Sequence, residues 1–182
     1  MEDALTGAGQ LGQSRSGDRS LEGWVRDQFG EHGPGLRRYL MRMLGDATLA
    51  EDLAQEVFLR LFEEAQKRNR VEKVRPWVFQ VGHNIAIDHL RRSGKDAWPA
   101  QSELMGEPDQ SPNAEELLLK AERMAQVRQA LCLLSPQERQ VIELRAEGLK
   151  YREIADLMGL QLSSVATFLG RAVNKIARQI HA

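Results

Sequence analysis

Apolar residues along this chain recur at helical spacing, and no segment alternates in the manner of a half-buried strand. Between residues 48 and 67, Leu53, Ala54, Val57, Phe58, Leu61 and Ala65 form one stripe, with Asp52, Gln55, Glu56, Leu59, Glu63 and Gln66 opposite. The same period predicts helices over Leu21–Phe29, Leu36–Leu44, Thr48–Lys67, Val74–Arg92, Ala114–Leu134, Pro136–Glu147, Tyr151–Met158 and Ser164–Ile180. From Ser93 to Asn113 come Gly94, Pro99, Gly106, Pro108 and Pro112, a composition that breaks helices and makes a flexible tether. The expected fold is all-α: a disordered tail over 1–20, a small helical domain over 21–92, a flexible linker over 93–113 and a second helical domain over 114–182.

The second domain carries the clearest local pattern. Ser135-Pro136 offers a cap and a proline at the first helical position, and Glu138 stands where a capping box needs it. Gly148 ends that helix, Tyr151–Met158 makes a short one, and Gly159 follows at a turn. Ser163 or Ser164 then caps a longer helix whose buried side holds Val165, Leu169, Ala172, Ile176 and Ile180. Ser164, Thr167, Arg171, Asn174 and Arg178 fall on its other side. Ala155 is small where two helices must cross, so the spacing is that of a helix-turn-helix, whose second helix lies in a DNA major groove. A polar, solvated face in an ordinary bundle is the plainer alternative.

Composition sharpens this. The net charge is only −1, which does not suggest a DNA-binding chain, but the charges are sorted. Glu51, Asp52, Glu56, Glu63 and Glu64 cluster with Arg60 as the one base among them, whereas Lys67, Arg68, Arg70, Lys73, Arg75, Arg91, Arg92 and Lys95 follow with few acids. Such a division points to two kinds of partner. Leu59, an apolar side chain among carboxylates, is a candidate protein-docking anchor, although single exposed leucines are common. Basic groups beside Trp77 and Phe79 suit a phosphate backbone and unstacked bases, with Phe79 more naturally placed in the core. No run of ~18 apolar residues predicts a membrane span. Cys132, the one cysteine, rules out an internal disulfide and is expected in the core of a cytoplasmic protein. His83 and His89 have no ligand cluster around them, so no metal or other cofactor is expected.

Three stretches then carry a resemblance. They are Glu51-Asp52-Leu53-Ala54-Gln55-Glu56-Val57-Phe58-Leu59-Arg60-Leu61-Phe62, Arg75-Pro76-Trp77-Val78-Phe79 continuing through Asn84 to Arg92, and Leu134-Ser135-Pro136 through Ala172. In order and spacing the chain resembles the sigma-70 superfamily of RNA polymerase specificity subunits, in particular its small extracytoplasmic-function (ECF) group. The resemblance implies a non-enzymatic protein that binds core RNA polymerase through Asp52, Gln55, Glu56 and Leu59. It implies that Lys67, Arg68, Asn69, Arg70, Lys73, Arg75, Trp77, Asn84, Arg91 and Arg92 open and hold the promoter −10 element. Arg152, Ser163, Ser164, Thr167, Arg171, Asn174 and Lys175 would contact the −35 duplex. An anti-sigma factor enters as a further partner, and the free chain is expected to be a monomer.

The chain departs from the family pattern at Ala166 and Phe168, where basic residues are usual, at Gly170, where histidine is frequent, and at Gln80, Gly82 and His83. A LuxR-type regulator would share the C-terminal motif but needs an α/β receiver in front, which an all-helical first half excludes. No phosphate loop or nucleophile elbow supports an enzyme. An adaptor that docks to polymerase without reading DNA is the remaining alternative.

Overall fold

The structure, a computed structural model, describes residues 12–68, 71–95, 125–127 and 129–180, with side chains from residue 21 onward within those ranges. Six named helices run in the order α1 (Gly12–Leu44), α2 (Ala47–Arg68), α3 (Val74–Ser93), α4 (Pro136–Ala146), α5 (Tyr151–Met158) and α6 (Leu162–Ile180). Among the described residues no helix is long and apolar enough to cross a membrane.

Gly45 and Asp46 separate α1 from α2. Gly45 takes a left-handed φ of 71° and its N–H closes the end of α1 on the Met41 carbonyl, 2.8 Å away. Asp46 then caps α2, accepting the Leu49 N–H at 3.0 Å. The predicted core stripe of α2 is buried throughout, from Leu53 to Ala65.

The two helices expected over Leu21–Phe29 and Leu36–Leu44 are one. Gly33-Pro34-Gly35 does not break α1, although Pro34 has no N–H to give the Gly30 carbonyl and an interior proline costs about 3 kcal/mol. Packing on both sides offsets that cost. Phe29 meets Phe58 edge-on at 4.9 Å, and Leu36, Tyr39, Leu40 and Met43 are fully buried. The helix also starts at Gly12, inside the segment expected to be a tail, since lengthening an existing helix needs no new nucleus. Residues 1–11 lie outside the described residues, as does the expected linker apart from Ser93, Gly94 and Lys95.

α3 lies close against α1. A methyl group on Gly82 would come 2.8 Å from Leu36 Cδ1, so the glycine sets how near the two helices pack. Gly94, with φ 65°, ends α3. In the C-terminal half, the Ser135–Glu138 capping box forms as its sequence predicts, with Glu138 N–H to Ser135 Oγ at 3.2 Å and Ser135 N–H to Glu138 Oε2 at 2.8 Å. Gly159, φ 64°, makes the turn between α5 and α6. Two expectations are corrected here. Leu162 begins α6 and the Gln161 carbonyl accepts the Ser164 and Val165 N–H groups, so Ser163 and Ser164 lie in the first turn and are not caps. Cys132 is exposed: it is the last helical residue before a turn at Leu133 and Leu134, and it points away from the core.

The two helical halves share one continuous core. Val141, Leu144, Leu149 and Ile154 belong to the same buried cluster as Leu36, Tyr39, Val57 and Phe79.

Candidate functional site

Three surfaces of different chemistry stand out. On α2, Asp52, Gln55 and Leu59 are exposed and Glu56 is half-buried beside Arg60, its ion-pair partner one turn on. Leu59 is 65% exposed, the most exposed large apolar side chain described. It borders a shallow groove of about 410 Å³ between α1 and α2, with Val25, Phe29, Phe58 and Phe62 in its walls. Glu51 is engaged by Arg37 at 3.0 Å, and that guanidinium holds its carboxyl below the usual range, with Gln55 adding a hydrogen bond at 3.3 Å. Phe29 and Val25 were not singled out from sequence. The signal was the apolar spacing Leu21, Val25, Phe29, which is as expected of a core face as of a groove wall.

The second surface belongs to α3 and its approach. Lys67 and Lys73 are exposed, while Asn69, Arg70 and the Arg68 side chain lie outside the described residues. Trp77, Asn84, Asp88 and Arg91 fall on one stripe of α3, because steps of seven, four and three residues return to the same side. Trp77 is packed against the core, Asn84 accepts a hydrogen bond from Gln80 at 3.4 Å, and Arg91 stands 3.5 Å from Asp88. Arg92, one position on, gives Nε–H to the Asp88 carbonyl at 3.2 Å and is otherwise in solvent. Arg75 is not with them. Nine residues before Asn84, it points from the opposite side of α3, 3.9 Å from Glu31 and next to Gly148 of the C-terminal half. Phe79 is buried, as expected.

His83 lies behind the stripe. Its Nδ1 is 3.0 Å from the Tyr39 hydroxyl and its Nε2 3.3 Å from Gln140 Nε2. Burial pushes its pKa down to about 4, so it is neutral near pH 7.

The third surface is α6. Val165 and Ala172 are buried, Leu169 and Ile176 partly so, and Ile180, the last residue of the helix, is exposed. Ser163, Thr167, Arg171, Asn174 and Arg178 face solvent, and Ser164 is half-buried. Thr167 turns its hydroxyl back onto the Ser163 carbonyl at 2.9 Å. Arg152 is exposed on α5. Lys175 differs from these. Its ammonium is bound to Glu138 Oε2 at 2.7 Å and to the Leu133 carbonyl at 3.1 Å, which fixes α6 to the start of α4. Nothing in the sequence spacing of Lys175 and Glu138 indicates that they meet.

Comparison with known proteins finds two family regions along the chain. Residues 29–96 match the family described as sigma-70 region 2, and residues 124–176 match sigma-70, region 4. The chain is 30% identical to ECF RNA polymerase sigma factor SigL of Mycobacterium tuberculosis, over 86% of this chain and 82% of that protein. It is 30% identical to ECF RNA polymerase sigma factor SigE of Mycolicibacterium smegmatis over 78% of this chain, and that alignment spans 55% of the relative. Its fold is similar to that of sigma factor RpoE solved with the anti-sigma factor NepR from Bartonella quintana, with a TM-score of 0.63, 19% identity, and coverage of 86% of this chain and 96% of that one. Both family regions occur in order on an all-helical chain, and the chain therefore belongs to the sigma-70 family, as an ECF-type RNA polymerase sigma factor that directs promoter-specific transcription initiation.

Proposed function

We propose that the acidic face of α2 docks on core RNA polymerase, with Leu59 as apolar anchor and Asp52, Gln55 and Glu56 around it. The residues Lys67 to Arg75 and the Trp77–Asn84–Arg91 stripe of α3, with Arg92, then hold the −10 element as a single strand. The polar side of α6, through Ser163, Ser164, Thr167, Arg171 and Asn174 with Arg152 nearby, lies in the major groove of the −35 duplex. Lys175 contributes there by fixing the helix. The observation that supports this reading best is the sorting of exposed chemistry: acids and one leucine on α2, bases and an exposed amide along α3, hydroxyls and guanidiniums on α6.

The chain makes and breaks no bond in this scheme. Binding energy offsets the few kcal/mol that unstacking and unpairing a base costs. It works in the cytoplasm, as a monomer when free, and an anti-sigma factor of the kind bound to the Bartonella relative is a proposed partner. Transcription in vitro with core polymerase over a fragmented genomic library tests the proposal. New, reproducible start sites are expected with the protein present. Absence of core binding would overturn it.

A second reading has one observation in its favour. Ala166 and Gly170 are exposed on α6 without any charge, and Phe168 is partly buried, so that helix offers the backbone few cations. An adaptor that binds polymerase without reading DNA predicts that Arg171→Ala changes nothing. A −35 reader predicts weaker promoter binding.

A further inference from the structure

A cavity of about 300 Å³ lies where α1, at Glu31 to Arg38, meets Arg75 of α3 and Glu147-Gly148 beyond the end of α4. That is the lower end of the ~300–1,000 Å³ usual for small-molecule sites, and it suits a small solute. Two of its wall groups have hydrogen-bonding capacity that the fold leaves unused. His32 is only 7% exposed, yet among the described residues its imidazole makes no hydrogen bond. Its nearest charged neighbour, Glu31 Oε1, stands 3.7 Å from Nε2, beyond hydrogen-bond reach. Buried polar groups are nearly always bonded, so an unbonded imidazole on a cavity wall marks that wall for a ligand.

Arg75 is the second such group. Its guanidinium carries five N–H donors and makes no hydrogen bond among the described residues. Glu31 Oε1 is again the neighbour, 3.9 Å from Nη2. Glu147, by contrast, is satisfied. Arg38 Nη2 takes one of its oxygens at 3.0 Å and Arg42 Nη2 the other at 2.9 Å, while Arg42 Nε reaches Glu143 at 2.6 Å. Glu147 therefore presents little free negative charge to the cavity, and Arg38 is held in place on the rim. Burial pushes the His32 pKa below its ordinary value, with Glu31 opposing and Arg75 assisting. The ring is neutral near pH 7 and offers one N–H.

We propose that this cavity binds a small phosphoanion, held by the Arg75 guanidinium and the His32 N–H with Arg38 at the rim. The planar fork of Arg75 matches two oxygens of a phosphate group, and the imidazole N–H reaches a third. Glu31 is the built-in competitor. It faces both groups at distances too long to bond either, and its side chain is 60% exposed, so it can turn to solvent as the anion enters. The polymerase surface and the Trp77–Asn84–Arg91 stripe play no part in this site, which stands whether or not those assignments hold. A nucleic-acid backbone offers the same phosphate chemistry, but a buried His32 on a cavity wall favours a solute small enough to enter.

Titration calorimetry of the full chain with inorganic pyrophosphate reads the site directly. The wild type is expected to bind one equivalent, and pyrophosphate should raise its thermal midpoint, since a ligand of the folded state stabilises it. Arg75→Ala and His32→Phe should each weaken binding by about tenfold, the loss of a charge-assisted hydrogen bond. Glu31→Gln should tighten it several-fold, a gain that damage to the fold does not produce. No binding to the wild type, or binding that Arg75→Ala and Glu31→Gln leave unchanged, overturns the site. A short single-stranded DNA oligonucleotide separates the sources of phosphate: it should bind the wild type and His32→Phe alike. Parallel losses for oligonucleotide and pyrophosphate assign the site to a strand and overturn the small-solute reading. Should His32→Phe lose helical circular dichroism, Glu31→Gln serves in that comparison, and equal tightening of both ligands is the overturning result.

Discussion

Lys175 of α6 holds Glu138 of α4, Nζ to Oε2 at 2.7 Å, so the residue that closes the capping box also fixes α6. Two functions meet on one carboxylate. The Lys175 hydrogen bond and then the Ser135 N–H hold its carboxyl below the usual range. Its contribution to stability is present above the ordinary carboxylate pKa and is lost as pH falls through the depressed value. Glu138→Ala removes cap and tie together and is expected to destabilise the chain by about 1–2 kcal/mol in thermal unfolding. Glu138→Gln, which keeps a hydrogen-bonding side chain, should cost less. A Glu138→Gln chain as stable as the parent would contradict a role for the charge in the tie to Lys175.

Asp52→Arg should abolish association with core polymerase while leaving thermal stability within about 0.5 kcal/mol of the parent, because Asp52 is exposed and outside the core. Leu59→Ala should weaken the same association by about 1–2 kcal/mol, as truncation of an anchor does. Titration of fluorescently labelled chain with core enzyme checks both.

Arg91→Ala with Arg92→Ala should weaken promoter complexes and flatten their salt dependence. For a single strand each lost phosphate contact removes roughly 0.7 from the slope of log K against log salt. Binding measured over a salt series gives the slope directly, and an unchanged value would take both residues out of the phosphate contacts.

His83 predicts an acid-sensitive fold. Burial lowers its pKa from 6.5 to about 4, so the unfolded chain takes up the proton first as pH falls. The stabilisation is complete above pH 6.5 and disappears toward pH 4, with a total of roughly 3 kcal/mol. The neighbours that sense the change are Tyr39 on α1 and Gln140 on α4. Denaturant unfolding between pH 7 and pH 4 should show the loss, and His83→Gln should flatten it over that window.

Where the fold depends on neighbours in sequence, the residues state it openly. The α2 stripe, the Ser135–Glu138 box and the turn at Gly159 all form as their spacing predicts, because each is decided within a few turns of chain. Gly33-Pro34-Gly35 misleads for the opposite reason: local preference for a break is outweighed by packing that α2 and α3 supply from far along the chain. The same distance hides the Arg42 contacts with Glu143 and Glu147, as well as the Lys175 tie, since pattern within a helix carries no information about which acid a base will reach. Cys132 misleads because four apolar residues in a row look like core, whereas here a helix ends within them and leaves Cys132 and Leu133 in solvent.

The proline in α1 has one more effect. Because Pro34 cannot bond to the Gly30 carbonyl, the helix lacks a rung one turn beyond Phe29 and just before the segment Leu36–Met43 that is anchored in the core. Bending at that level has one hydrogen bond fewer to strain than elsewhere in the helix. Val25 and Phe29, which wall the groove beside Leu59, thus join the core-anchored part of α1 through the level of the helix that is one hydrogen bond short.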